Sequence, residues 1–122
     1  MLNNTLLSYC LQKATEAAKD KKVSVYAVAV NKRDRVIAEA GNDYVKTSPK
    51  QALYARLAGL PHKQFLHAEI LVLTRALKRG ENTAKLYIAR AGKQGQSLPA
   101  KPCSICQLFI DTEFPNIEII HT

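Results

Sequence analysis

Apolar residues recur at intervals of three and four in several stretches of the chain, which is the spacing of one face of an amphipathic helix. Over residues 2–19 the stripe predicts a helix that covers a sheet, and its members are Leu2, Leu6, Cys10, Ala14 and Ala17. A second helix is predicted over residues 66–78, ended by Gly80, and its stripe is Leu66, Ile70, Leu73 and Leu77. A third follows Pro102, which suits a first helical turn, with an apolar side of Ile105, Leu108 and Phe109.

Runs rich in β-branched residues predict strands between these helices. Residues 23–30 and 35–40 should form an antiparallel hairpin, because only a short polar segment joins them. Residues 84–89 and 117–120 are predicted as further strands, and the turn-rich segment 92–97 as a loop or hairpin tip. Ser48 and Pro49 begin a short helix over residues 51–58, which Gly59 ends.

The order of the main elements is helix, strand, strand, helix, strand, helix, strand. Its late strand-helix-strand step favours parallel pairing through a right-handed crossover, while the early hairpin is antiparallel. The sequence therefore predicts an α/β fold with a mixed sheet. Its 122 residues fit one domain over residues 1–122, and 47% hydrophobic with 23% charged residues is typical of a chain that folds on its own.

Composition also bears on location and partners. No apolar run approaches the roughly 20 residues that span a bilayer, and a secretory signal is lacking, so we expect no membrane and a cytoplasmic location. Three cysteines, two of them close together, argue against a secreted disulfide framework. The net charge of +8 favours a phosphate-bearing substrate or a nucleic acid, although a basic surface can equally serve solubility alone.

Two short clusters, at the starts of two predicted helices, carry the candidate chemistry. Cys103 and Cys106, three residues apart, can direct both sulfurs at one metal ion, and His67 supplies a third ligand. Three protein ligands leave a fourth tetrahedral position for water, as in a catalytic zinc site. Glu69 can reach that water without binding the metal and is the predicted proton shuttle. Two cysteines at this spacing, taken alone, are equally a redox pair or half of a zinc clip.

Together, His67-x-Glu69 and the downstream Pro102-Cys103-x-x-Cys106 resemble the signature of the zinc nucleobase deaminases, which include cytidine, deoxycytidylate and tRNA adenosine deaminases. The resemblance covers about residues 23–120. It implies the three-layer α/β/α cytidine-deaminase-like fold, with helices on both faces of the mixed sheet. It also implies one zinc ion per chain, attack of an activated water on C4 of cytosine or C6 of adenine, and release of ammonia. A homo-oligomer is implied too, because relatives often complete their sites across subunits.

The resemblance extends to substrate contacts. Asn42 stands where the family often places an asparagine that binds the sugar, although asparagine after glycine is also a common turn residue. Ala68, Lys101 and Pro102 adjoin the predicted ligands and are expected to contact substrate. Basic residues predicted at the entrance, where they could contact phosphate, are Lys50, Arg56, Lys63, Lys93 and Lys101. Three aromatic residues are left with two alternative roles, stacking on a base or packing in the core: Tyr44, Tyr54 and Phe65.

The chain departs from the family pattern in three places. Leu66 precedes His67 where many relatives have a small or polar residue, so we expect a reshaped pocket. The C-terminus is short, since the chain ends after the fourth predicted strand where many relatives continue with a helix and often a strand. Residues 46–63 form a basic excursion that lengthens the entrance.

These observations favour a zinc-dependent hydrolase that deaminates cytosine in a nucleoside or nucleotide. A deaminase of bases in single-stranded DNA or RNA, tRNA adenosine included, is the first alternative, and the net charge favours it. A noncatalytic zinc-binding interaction domain, in which the ion supplies folding energy, is the second.

Overall fold

A computed structural model describes residues 2–18, 23–43, 48–63 and 67–122. The predictions for Tyr44, Phe65 and Leu66, and those for the side chain of Leu2, lie outside the described residues. Within them the helices are α1 (Leu2–Ala18), α2 (Pro49–Leu57), α3 (Ala68–Lys78) and α4 (Ser104–Glu113). The strands are β1 (Ser24–Val30), β2 (Val36–Gly41), β3 (Lys85–Ala91), β4 (Ser97–Leu98) and β5 (Glu118–His121).

The sheet is mixed, as predicted, and β3 is its central strand. β1 pairs antiparallel with β2 on one edge and with β3 on the other, which confirms the early hairpin. The far edge of β3 is shared by β5, which is parallel to it, and by β4, which is antiparallel. The parallel pairing of β3 and β5 across α4 confirms the parallel strand-helix-strand step, while its right-handed crossover stays a prediction. Ser97, placed in a loop by the sequence, instead begins the two-residue strand β4.

Helices cover both faces of the sheet, so the three-layer α/β/α prediction is confirmed. On one face α1 packs Cys10 against Val28 and Tyr87. On the other face α3 packs against β1 and β2, and α2 and α4 pack against each other within the same core, which includes Ala27, Leu86 and Ile88. Alternation along each strand thus gives two cores on opposite sides of one sheet.

Two stripe positions were predicted wrongly. Ala17 is exposed and Ala18 is buried in its place, while Leu77 is 49% exposed and Ala76 is fully buried. In both helices the buried side chain lies one position away from the predicted one. The apolar stripe of an amphipathic helix is wide. The spacing of apolar residues therefore predicts which face of the helix is buried, but not which individual residues at the edge of that face are buried.

The helix ends follow the predicted capping chemistry at α2 and α3. Ser48 caps α2 by accepting the backbone N–H of Gln51 at 3.1 Å, and Gly59, with φ of 76°, ends it. Gly80, with φ of 71°, ends α3 in a Schellman motif, since the N–H groups of residues 80 and 81 donate to the carbonyls of residues 77 and 76. The predicted start of α4 was wrong by being too close to the N-terminus. Cys103 is the N-cap, so Pro102 lies before the helix and not in its first turn.

Among the described residues, no helix combines the length and the hydropathy that crossing a bilayer requires.

Candidate active site

The three predicted metal ligands converge where α3 and α4 begin. His67 is the N-cap of α3, Cys103 is the N-cap of α4, and Cys106 lies in the first turn of α4. The Nδ1 atom of His67 is 3.2 Å from the Sγ atom of Cys106 and 3.4 Å from that of Cys103. Neither N-cap side chain makes a capping hydrogen bond, and both face this cluster instead.

This donor set fits a zinc ion. Imidazole nitrogen binds zinc at about 2.0 Å and thiolate sulfur at about 2.3 Å, so a tetrahedral centre separates nitrogen from sulfur by about 3.5 Å. The ligand atoms of His67, Cys103 and Cys106 all lie within 4.8 Å of one another. In the part of the chain that the structure describes, this is the one His, Cys, Asp or Glu group with such spacing.

The two cysteines differ in their readiness to ionise. The hydrogen bond from Cys106 is the main reason that the pKa of Cys103 falls to about 3, and the hydrogen bond from His67 lowers it further. The pKa of Cys106 is raised, because it donates to Cys103 and is buried beside Glu69. The hydrogen bond to Cys103 also raises the pKa of His67. The cluster therefore offers a thiolate at neutral pH, which is the form that binds metals.

Glu69 lies beside the cluster in the first turn of α3, and only 6% of it is exposed. Burial raises its pKa, while its own backbone N–H and the nearby charge of His67 oppose the rise. A raised pKa makes a carboxyl a better proton acceptor, which is the property that a general base requires. Its place next to the cluster, outside the ligand set, matches the predicted position of the proton shuttle.

A cavity of about 540 Å³ opens over these residues. Predicted residues that line it are Asn42, Lys63, His67, Ala68, Glu69, Lys101 and Cys103. Residues that line it without having been predicted are Val23, Val25, Asp43, His62, Arg90, Pro99 and Ala100. The volume lies within the range of about 300–1,000 Å³ that is typical of small-molecule sites.

Asn42 serves the backbone and the cavity together. Its Oδ1 atom accepts the N–H of Val25 at 3.0 Å, and its own N–H donates to the carbonyl of Val25 at 3.0 Å. Both bonds extend the β1–β2 pairing by one residue, and Asn42 lacks the left-handed backbone of a turn asparagine, so its structural role is to hold the sheet edge. Because Asn42 also lines the cavity, its contact with a sugar stays a prediction.

Other predicted residues lie away from the cavity. Lys50 forms an ion pair with Glu113 at 2.7 Å, and the hydroxyl of Tyr54 donates to the same carboxylate at 2.7 Å. The ring of Tyr54 packs edge-on against Phe109, so packing and not base stacking is its role. Pro102 is buried and lines a neighbouring cavity along α4. Arg56 and Lys93 are exposed and are not among the lining residues.

Arg90 is the basic residue that sequence reasoning missed. It lies opposite Val25 in the register of β1 and β3, on the face of β3 that carries Leu86 and Ile88. The signal was present, because alternate residues of a strand share a face and position 90 follows 86 and 88. His62 had no such signal, since it lies in the loop after α2.

The comparisons with known proteins agree with this site. The model of the cytidine and deoxycytidylate deaminase zinc-binding region matches residues 2–117, so the chain belongs to this family. The solved structure of cytidine deaminase from Mycobacterium tuberculosis is 20% identical over 94% of this chain and 82% of that one, with a TM-score of 0.53. A glutamate-to-glutamine mutant of that protein is 19% identical over 94% and 83%, with the same TM-score.

The likeness to these solved structures establishes the fold, and the family model confirms the family that the two motifs indicated. No curated protein matches the sequence.

Proposed function

We propose that this protein is a zinc-dependent hydrolase that deaminates a nucleobase, most plainly cytosine in a nucleoside or nucleotide. His67, Cys103 and Cys106 hold the metal, and Glu69 moves the proton. The observation that carries the proposal is a carboxyl group with 6% exposure beside a His/Cys/Cys cluster, at the wall of a cavity. Keeping a carboxyl there costs desolvation energy that a site serving structure alone has no need to bear.

When bound, zinc would supply a Lewis acid that lowers the pKa of a water molecule and prepares it to attack the amino-bearing carbon of the base. Glu69 takes a proton from the attacking water and delivers it to the amine, which leaves as ammonia. A raised pKa suits both transfers. The buried residues Ala68 and Ala100 line the same cavity as Glu69, so this part of its wall is apolar.

The rim of the cavity favours a substrate that carries phosphate. Lys63, Arg90 and Lys101 line it, and each is exposed at its edge. Asp43 is an acidic residue in the same lining, and Glu69 lies deeper. Three cations at the mouth of a small-molecule cavity attract an anionic substrate, so a nucleotide fits better than a nucleoside.

A base in single-stranded DNA or RNA is the second candidate. The net charge of +8, together with the basic rim, favours contact with a phosphate backbone. Tyr54 offers no stacking surface, because its ring packs on Phe109 and its hydroxyl binds Glu113. We therefore rank the free nucleotide first.

The test is ammonia release from cytosine, adenine and guanine nucleosides, nucleotides and single-stranded oligonucleotides, with zinc quantified by mass spectrometry. Glu69→Gln should keep zinc and lose at least about 100-fold in turnover, the lower end of general acid-base catalysis. Glu81→Gln, an exposed glutamate beyond the end of α3, is the matched control and should leave turnover unchanged. Zinc without turnover on any substrate would favour a noncatalytic zinc-binding domain, and absence of zinc would refute the site.

The setting of the enzyme belongs to the same proposal. We expect a single domain over residues 1–122, and a cytoplasmic location because thiolate ligands must stay reduced. A homo-oligomer is expected from the family resemblance. Sedimentation velocity tests it, and a monomer at all concentrations would contradict it.

A further inference from the structure

Gln51 is a buried polar side chain that the reaction as described does not use. It lies in α2, and its side chain is completely buried. A buried amide without partners costs free energy, so both of its polar groups should be bound. Both are: Oε1 accepts the backbone N–H of His67 at 3.2 Å, and Nε2 donates to the carbonyl of Lys63 at 3.4 Å.

These two bonds join the metal ligand to the rim of the cavity. Lys63 and His67 both line the cavity, on either side of residues 64–66. One amide group ties the backbone at both positions to α2. Only a side chain with one donor and one acceptor at this reach can make both bonds, and glutamine meets that condition.

Gln51 is itself held firmly in place. Its backbone N–H donates to the Ser48 cap of α2. One turn further along α2, the hydroxyl of Tyr54 donates to Glu113 at the end of α4. Lys50 binds the same carboxylate. Gln51 therefore links the helix that carries Cys106 to the backbone of His67.

His67 needs such support because its side chain is committed to the cysteines. It occupies the N-cap position of α3, where its imidazole makes no capping bond. Its carbonyl is bound by the N–H of Leu71 at 3.1 Å, and its N–H is bound by Gln51. The direction of the imidazole depends on this backbone, since an N-cap residue with φ of −80° and ψ of 147° is extended and lies outside the helical geometry of α3.

We propose that Gln51 is a positioning residue for the metal site, which holds the backbone of His67 so that its Nδ1 atom meets the two sulfurs. The inference rests on the metal site of the proposed function. It predicts that loss of the Gln51 acceptor weakens zinc binding and distorts its geometry. Partners that orient a metal ligand in this way typically contribute about 10- to 100-fold to metal affinity or activity.

Three variants separate the bond to His67 from the rest of the side chain. Gln51→Met keeps the length and removes both polar groups. Gln51→Asn keeps the amide but is one methylene too short to reach His67. Gln51→Glu keeps an acceptor for the N–H of His67, and because burial favours the neutral carboxylic acid, its O–H can still donate to the carbonyl of Lys63. The matched control is Tyr54→Phe, which weakens the attachment of α2 to α4 and leaves the amide of Gln51 in place.

The measurements are zinc affinity by chelator competition, the visible absorption of the cobalt-substituted protein, and kcat with KM. We expect Gln51→Met and Gln51→Asn to bind zinc about 10- to 100-fold more weakly and to shift the cobalt bands. Their kcat should fall while KM stays near wild type, because substrate contacts are intact. Gln51→Glu and Tyr54→Phe should resemble wild type in affinity and spectrum.

Equal affinities and equal cobalt spectra in all four variants would overturn the role of Gln51, with the metal site still standing. If Gln51→Met fails to fold, the contrast between Gln51→Asn and Gln51→Glu decides alone: a difference in the stated direction supports the role, and no difference overturns it. Wild-type protein that takes up no zinc would instead refute the metal site and this inference with it.

Discussion

The carboxylate of Glu113 fastens α2 to α4, and its removal is expected to destabilise the framework around the metal site. It accepts hydrogen bonds from Lys50 and from Tyr54, both at 2.7 Å. Glu113→Gln keeps the shape and an acceptor but removes the charge. The bond from the buried Tyr54 hydroxyl then changes from charge-assisted to neutral, a loss of about 1 kcal/mol.

The ion pair with Lys50 adds less, because the lysine side chain is 42% exposed and water screens the pair. A pair of this kind contributes about 0.2–1 kcal/mol. The expected total is about 1–2 kcal/mol in the free energy of unfolding, or a fall of about 3–8 °C in Tm for a chain of this length. Urea unfolding monitored by circular dichroism measures the first quantity.

The effect must depend on pH in a definite direction. Burial raises the pKa of Glu113, but the hydrogen bonds from Lys50 and Tyr54 together outweigh it, so the pKa is lowered in the folded protein. A lowered carboxyl pKa gives stability that is fully present above the unfolded value of about 4.3 and is lost as pH falls through the folded value. The difference between wild type and Glu113→Gln should therefore be constant from neutral pH to about pH 5 and shrink below about pH 4.

A difference that keeps its full size in acid would refute this reasoning and assign the effect to packing. Glu81→Gln, in an exposed glutamate, serves as the control and should change stability little at any pH. A double-mutant cycle with Tyr54→Phe isolates the hydroxyl bond.

Three further outcomes follow from the fold. Chelation of zinc should lower Tm, because metal binding free energy is part of folding free energy, and an unchanged Tm in calorimetry would argue against a bound ion. Gly80→Ala should cost about 1–2 kcal/mol in urea unfolding, because φ is 71° and no neighbour obstructs a Cβ atom; a neutral result would mean that the turn relaxes. Phe109→Ala should cost about 3–5 kcal/mol in the same assay, because the ring is fully buried, and a loss under about 1 kcal/mol would contradict its place in the core.

Local patterns in the sequence predicted most of the fold and the residues that form the metal cluster. The caps at Ser48, Gly59 and Gly80 are local chemistry, and so are the two motifs that carry the metal ligands and Glu69. The strand β4 escaped prediction because two residues are too few to show alternation. Pro102 was placed inside a helix because proline is common in a first turn, but Cys103 turned out to be the cap.

Long-range partners were beyond reach of the sequence. Nothing near Lys50 or Tyr54 indicates that Glu113, some sixty residues later, neutralises one and accepts a hydrogen bond from the other. The sequence placed Lys50 at the entrance because it is basic, and it left Tyr54 open between base stacking and core packing. Gln51 was overlooked for the same reason, since its partners lie 12 and 16 residues away and only the fold brings them together.

Because Cys10 is buried between α1 and the sheet, alkylation of the native protein can be used to measure how much metal is bound. Burial is the main cause that raises the pKa of this thiol to about 12, so alkylating reagents should not react with it in the native state. Cys106 is buried as well, whereas Cys103 is exposed. A native protein treated with iodoacetamide therefore gains mass at Cys103 when the metal is absent and is protected there when the metal is bound. Intact-mass spectrometry of one labelled sample thus counts the fraction of molecules that hold an ion, without any substrate.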